Sequence, residues 1–115
     1  MEAQKLTVII YETEIGVCPF MDWFRALRDK SGKARILVRL ERIEKGNFGD
    51  SKPVQRGVSE LRVDAGPGYR VYYGRHHDSV VVLLCGGDKS SQRRDIEKAW
   101  DFLDDYRRRY DADAQ

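Results

Sequence analysis

Three extended runs follow one another closely between residues 60 and 92, and any fold of this chain has to pair them. They are Glu60-Leu61-Arg62-Val63, Tyr69-Arg70-Val71-Tyr72-Tyr73 and Val80-Val81-Val82-Leu83-Leu84. The links, Asp64-Ala65-Gly66-Pro67-Gly68 and Arg75-His76-His77-Asp78, are turn sequences. The stretch reads as three consecutive antiparallel strands, the last one central because it is apolar throughout. Gly86-Gly87 then permits a sharp exit, and Ser90 or Ser91 can cap a following helix. Asp95 and Glu97 fall in its early turns, where acids favour the dipole.

Side chains alternate along a strand. Leu61 and Val63 therefore share one face with Tyr69, Val71 and Tyr73. Glu60, Arg62, Arg70 and Tyr72 collect on the other. With the apolar face inward, these four stand on an open side of the sheet, and Lys89 is placed to reach the same edge. Two arginines, a lysine, a tyrosine and a carboxylate on one face suit a polyanion. A solvated face with cross-strand ion pairs explains the same residues.

Upstream, Leu6-Thr7-Val8-Ile9-Ile10-Tyr11 reads as a strand. Pro19 suits the first turn of a helix in which Phe20, Trp23, Phe24 and Leu27 recur at helical spacing. Ser31-Gly32 separates it from a second helix, with Ser31 as cap and Ile36, Leu40 and Ile43 as the apolar stripe. So short a link predicts an antiparallel helix pair. Gly46-Asn47 stops the second helix, and residues 47–57 read as a loop. In the last helix Ile96, Trp100 and Leu103 face inward with Ala99 beside them, and residues 111–115 read as a frayed tail. The order is β-α-α-β-β-β-α. This predicts an α+β fold in a single domain spanning residues 1–115, a small antiparallel-rich sheet with its helices on one face.

Net charge is only +2, but it is unevenly spread. Residues 25–46 hold eight bases against three acids, and residues 52–94 eight against four, whereas both ends are acidic. A basic middle is compatible with phosphate contact, which needs local charge; a charged helix face explains the first block equally well. No apolar run approaches the ~20 residues of a membrane span, and the first five residues carry no basic head of a secretory signal. Cys18 and Cys85 make neither a disulfide framework nor a metal site, and are expected to be buried free thiols. Adjacent His76 and His77 invite a metal reading, but neighbours in a strand or turn rarely converge on one ion and no second ligand cluster stands near them in sequence. No metal is expected.

Several strings carry a family likeness. These are Phe20-Met21-Asp22-Trp23-Phe24, Lys45-Gly46-Asn47-Phe48-Gly49-Asp50, Lys52-Pro53-Val54, Gly57-Val58-Ser59-Glu60-Leu61-Arg62, Gly66-Pro67-Gly68-Tyr69-Arg70-Val71-Tyr72 and Leu84-Cys85-Gly86-Gly87-Asp88-Lys89-Ser90-Ser91-Gln92. Over roughly residues 5–105 the chain resembles the RelE/ParE toxin superfamily, and most of all its HigB-like addiction module killer branch. The resemblance implies the compact RelE-like fold and the toxin of a type II toxin–antitoxin pair. The implied activity is a metal-independent endoribonuclease that needs no cofactor and cuts mRNA in the ribosomal A site, in a bacterial or phage-derived cytoplasmic protein. Arg70 matches the family's most characteristic catalytic arginine, Arg62 a second basic residue and Lys89 a further cation. Where RelE itself carries catalytic lysines this chain has Glu60 and Val58, and near its late tyrosine it has Asp95, which makes Glu60 the candidate base. Lys52, Arg56, Tyr72, Gln92 and Arg93 are the candidates for contacting RNA.

Implied partners are a cognate antitoxin of helix-turn-helix type, the 70S ribosome and mRNA, with operator DNA reached only through the antitoxin. The alternatives are a ParE-like inhibitor of DNA gyrase without catalysis, and an inactive toxin that serves only as co-repressor. Arg62, Arg70 and Lys89 together favour the nuclease.

Overall fold

A computed structural model describes residues 5–111. In chain order the elements are β1 (Thr7–Ile10), α1 (Pro19–Ala26), α2 (Lys30–Glu44), β2 (Ser51–Pro53), β3 (Val58–Val63), β4 (Tyr69–His76), β5 (Val80–Asp88), a 3-10 turn (Lys89–Ser91) and α3 (Gln92–Tyr110). The α+β fold stands, with five strands ordered β1-β5-β4-β3-β2. Among the described residues only the β1–β5 pair is parallel. The frayed tail expected from residue 111 lies, Asp111 apart, outside the described residues.

The helices do not share one face. α1 and α2 cover the side carrying Leu61, Val63, Tyr69, Val71, Tyr73, Val81 and Leu83. α3 covers the other, where Ala99, Leu103 and Tyr106 pack on Val58, Tyr72, Val82, Leu84 and Cys85. The reason lies in β5. Its apolar run sends side chains to both faces, so each face needs its own covering layer. α1 packs on β5 and α2 on β1 and β3.

The sheet contains one irregularity that matters. Tyr72 pairs with Cys85 and Tyr73 with Leu83, so Leu84 is an extra residue in β5. Such a bulge shifts the alternation by one. Cys85 thereby joins Leu84 on the α3 side, Gly86 turns to α1 and Gly87 to α3. These glycines are not an exit turn. A side chain at Gly86 would collide with the Trp23 ring, and one at Gly87 with the Asp95 carboxylate.

Other boundaries moved for local reasons. α2 is capped by Asp29, not Ser31: its Oδ1 accepts from Gly32 N at 2.9 Å, and its Oδ2 from Tyr69 Oη at 3.0 Å. Gly32 lies inside the helix, where the Tyr69 ring leaves no room for a side chain. Residues 47–57 are not all loop, since β2 pairs Ser51–Pro53 with β3. A three-residue edge strand containing proline gives almost no periodic signal.

β1 is tied to α3 by Tyr11, whose Oη donates to Asp105 Oδ2 at 2.6 Å; Arg109 Nη2 donates to the same oxygen at 2.6 Å. The Tyr11 hydrogen bond, with Arg109 behind it, holds Asp105 down to about 2. Burial, then Asp105, pushes Tyr11 up to about 12. A depressed acid stabilises above its ordinary value of 3.8 and loses that contribution as pH falls through about 2. A raised phenol stabilises below its ordinary 10.0 and loses it as pH rises through about 12. Tyr11→Phe is expected to cost about 1–2 kcal/mol at neutral pH, to weaken the loss between pH 4 and 2 and to abolish the phenol's alkaline loss. Urea unfolding across pH checks all three.

Candidate functional site

The four residues assigned to one face by alternation do share it, at the end of the sheet beside the start of α3. Arg62 and Arg70 are cross-strand partners, as are Glu60 and Tyr72, and Lys52 pairs with Glu60 from the edge strand. Two cations directly opposite each other repel; Glu60 offsets this. Its Oε1 accepts from Arg62 Nε at 3.0 Å and lies 3.3 Å from Arg70 Nε. Its Oε2 accepts from Gln92 Nε2 at 2.7 Å, and Gln92 is the first residue of α3.

Exposure differs sharply within this group. The Glu60 side chain is sealed, that of Arg70 is 13% exposed and that of Arg62 35%. The face predicted to be open is thus closed by α3 over Glu60 and Tyr72 and opens only toward the guanidiniums. Tyr72 Oη is buried without a hydrogen-bond partner among the described residues. Burial, then the Glu60 charge, drives its phenol well above the ordinary range, so it stays protonated.

In front of the arginines is a hollow lined by Arg62, Arg70, Gly68, Val63, Asp50 and Asp64. Gly68 adopts φ 83°, and a Cβ there would touch Lys89 Cβ and Arg70 Nη1 at 3.5 and 3.7 Å. Lys89 therefore stands at the same edge, as expected, and is exposed. Its turn is set by Asp88, which accepts from Ser90 N at 2.8 Å and Ser90 Oγ at 2.5 Å. The Ser90 hydroxyl, above all, lowers the Asp88 carboxyl from its usual value.

The remaining RNA-contact candidates divide. Lys52 and Arg93 line a neighbouring groove along α3 with Trp100. Arg56 lies farther along, its guanidinium 4.5 Å from the Trp100 ring centroid. The Trp100 indole donates to Val54 O at 3.0 Å, which holds the turn through Gln55 and Arg56, both at positive φ.

Sequence reasoning missed three contributors. Arg39 is not a solvated base of α2: its Nη1 donates to Arg62 O at 2.6 Å and its Nη2 to Phe48 O at 3.3 Å. Arg35 similarly caps Asp64 O at 2.8 Å. Asp95 does not simply complement the dipole: it is buried, accepts from Ser91 Oγ at 2.5 Å and lies over Gly87. The paired Gly86-Gly87 was the available signal for a close approach. Beneath it the Cys85 thiol is free and buried as expected, and is pushed up to about 12, first by burial and then by Asp95; Cys18, expected to be buried, is only half-buried. At the far end of α3 the fold brings Asp111 to His76 and His77, a third potential ligand that sequence separation hid.

The family model for the phage derived protein Gp49-like family matches residues 22–101, which contain every residue of this cluster. The chain belongs to that Gp49-like family. It is a toxin-like family of the RelE/HigB type. An uncharacterized protein of Haemophilus influenzae (strain ATCC 51907 / DSM 11121 / KW20 / Rd) is 49% identical over 80 residues, 70% of this chain and 81% of the relative. In this Gp49-like protein no helix among the described residues is long and apolar enough to cross a membrane.

Proposed function

We propose that this Gp49-like protein is the toxin of a type II toxin–antitoxin pair on the HigB-like branch, acting in the cytoplasm as a ribosome-dependent, metal-independent mRNA endoribonuclease. The observation that carries the reading is the Arg62–Arg70 pair, held on the sealed Glu60 and facing an open hollow. Two forked guanidiniums a strand apart match the oxygens of a phosphodiester.

In the reaction the ribose 2′-oxygen attacks the adjacent phosphorus and loses its proton to a base. The P–O5′ bond breaks and the 5′-oxygen takes a proton, leaving a cyclic phosphate and a 5′-hydroxyl. Arg70 and Arg62 stabilise the charge that builds on the phosphorane oxygens. Lys89, exposed at the edge, stabilises the phosphate or protonates the leaving oxygen. Glu60 is first a positioning residue, since both its oxygens hold donors. A phosphate that draws the guanidiniums forward releases Oε1, and in that state Glu60 can act as the base. Tyr72, kept protonated, is sealed behind Glu60 and cannot reach the RNA in this arrangement, against the contact expected of it. Lys52, Gln92, Arg93 and Arg56 extend the contact along α3. Alignment by the ribosome supplies what these groups lack.

Its partners are then the 70S ribosome, mRNA and a small cognate antitoxin of helix-turn-helix type, through which it reaches operator DNA. The test is induction of the wild-type chain with growth, translation and primer extension on a reporter mRNA read together. Translation arrest with codon-phased cuts is expected. Intact mRNA with altered plasmid supercoiling would transfer the protein to the gyrase inhibitors, and harmless expression would leave only a co-repressor.

A further inference from the structure

Neighbouring residues of a strand point to opposite faces, so His76 and His77 have no reason to meet. They do meet. β4 ends at His76, and His77 begins the turn at φ 56°, in the left-handed region that a residue with a Cβ rarely adopts. That backbone step brings the two imidazoles to one side, with ring centroids 4.3 Å apart and planes 29° apart. Asp111, the residue that ends α3, arrives from the other direction. One ligand atom from each of the three residues lies within 4.8 Å of the other two.

From this geometry we infer a binding site for a divalent transition metal of the zinc class, held by His76, His77 and Asp111. His76 Nδ1 lies 2.8 Å from Tyr106 Oη, which leaves Nε2 for a ligand. That nitrogen is buried and has no hydrogen-bond partner among the described residues, an arrangement that costs free energy unless something binds there. An imidazole whose second nitrogen donates to a fixed oxygen is how proteins orient a metal-binding histidine. Two imidazoles and one carboxylate suit zinc and its neighbours and disfavour calcium or magnesium, which prefer all-oxygen sets.

The electrostatics agree. Asp111 lies at the negative end of the α3 dipole, where a cation is favoured. Three protein ligands leave coordination positions open to water or a partner's side chain. The site is separate from the proposed RNA chemistry, at the other end of α3 from Gln92 and the arginines. Asp111 lies beyond the residues 22–101 that the family model matches.

The experiment is calorimetric titration of the full chain, freed of metal by a chelator, with zinc chloride. One equivalent per chain is expected, with a rise in the unfolding temperature. His77→Ala and Asp111→Asn are each expected to weaken binding about tenfold or more and to lose the zinc-dependent rise. Cobalt chloride should give the visible absorption of a four-coordinate ion in the wild type and not in His77→Ala. An absence of heat and of thermal shift in the wild type overturns the inference. So does stoichiometric zinc binding that neither substitution alters.

Discussion

Glu60→Ala is expected to lower the free energy of unfolding by about 2–4 kcal/mol, read as a drop in the urea midpoint at unchanged slope. The carboxylate is fully buried and is the shared partner of two guanidiniums and one amide. Removing it leaves Arg62 and Arg70 as unscreened cross-strand neighbours and strands Arg70 Nε, which is buried and has no other partner among the described residues. Breaking a buried ion pair by removing one member costs about 3–5 kcal/mol. The lower range applies because Arg62 is a third exposed and can turn to water. Glu60→Gln keeps the shape and the contact with Gln92 but not the charge, and should cost about half as much. A loss below about 1 kcal/mol for the alanine variant would show that the two arginines are held by the sheet alone.

Arg70→Ala is expected to reduce ribosome-dependent mRNA cleavage by about 10²–10³-fold and to relieve growth arrest. Arg70 faces the hollow, yet only 13% of its side chain is exposed, so its guanidinium is preorganised and pays little to order when phosphate arrives. Arg70→Lys keeps the charge but loses the fork that presents two donors in one plane, and should retain only part of the rate. Arg62→Ala should have the smaller effect, because that side chain is more exposed and less fixed. Single-turnover cleavage on programmed 70S ribosomes, with the folded state of each variant checked by its urea midpoint, separates catalysis from stability. Cleavage by Arg70→Ala at the wild-type rate would move the chemistry away from this cluster.

Period-two and helical patterns carried most of the element order. Short-range chemistry rules decided those patterns, and such rules are visible in a single sequence. Pro19 opens α1 as expected, and the stripe of Ile36, Leu40 and Ile43 is buried. The elements that escaped were those set by long-range pairing. β2 is too short to announce itself, and the parallel β1–β5 pair joins residues more than 70 positions apart, as Thr7 with Val80. The cap of α2 went to Asp29 because Tyr69, forty positions away, bonds to the same carboxylate.

The candidate site divides along the same line. Alternation alone placed Glu60, Arg62, Arg70 and Tyr72 on one face, because the pleat makes that outcome independent of the rest of the chain. Which of them meets solvent was decided by α3. That helix docks where Gly87 gives it room, and so it covers Glu60 and Tyr72 and leaves the guanidiniums at the rim. The support from Arg39 and the meeting of His76 and His77 with Asp111 likewise depend on contacts between distant segments and on one left-handed residue. Residue type and spacing told what chemistry this chain has in hand. Burial and distance, which exist only after the layers close on both faces of the sheet, decided which groups can use it.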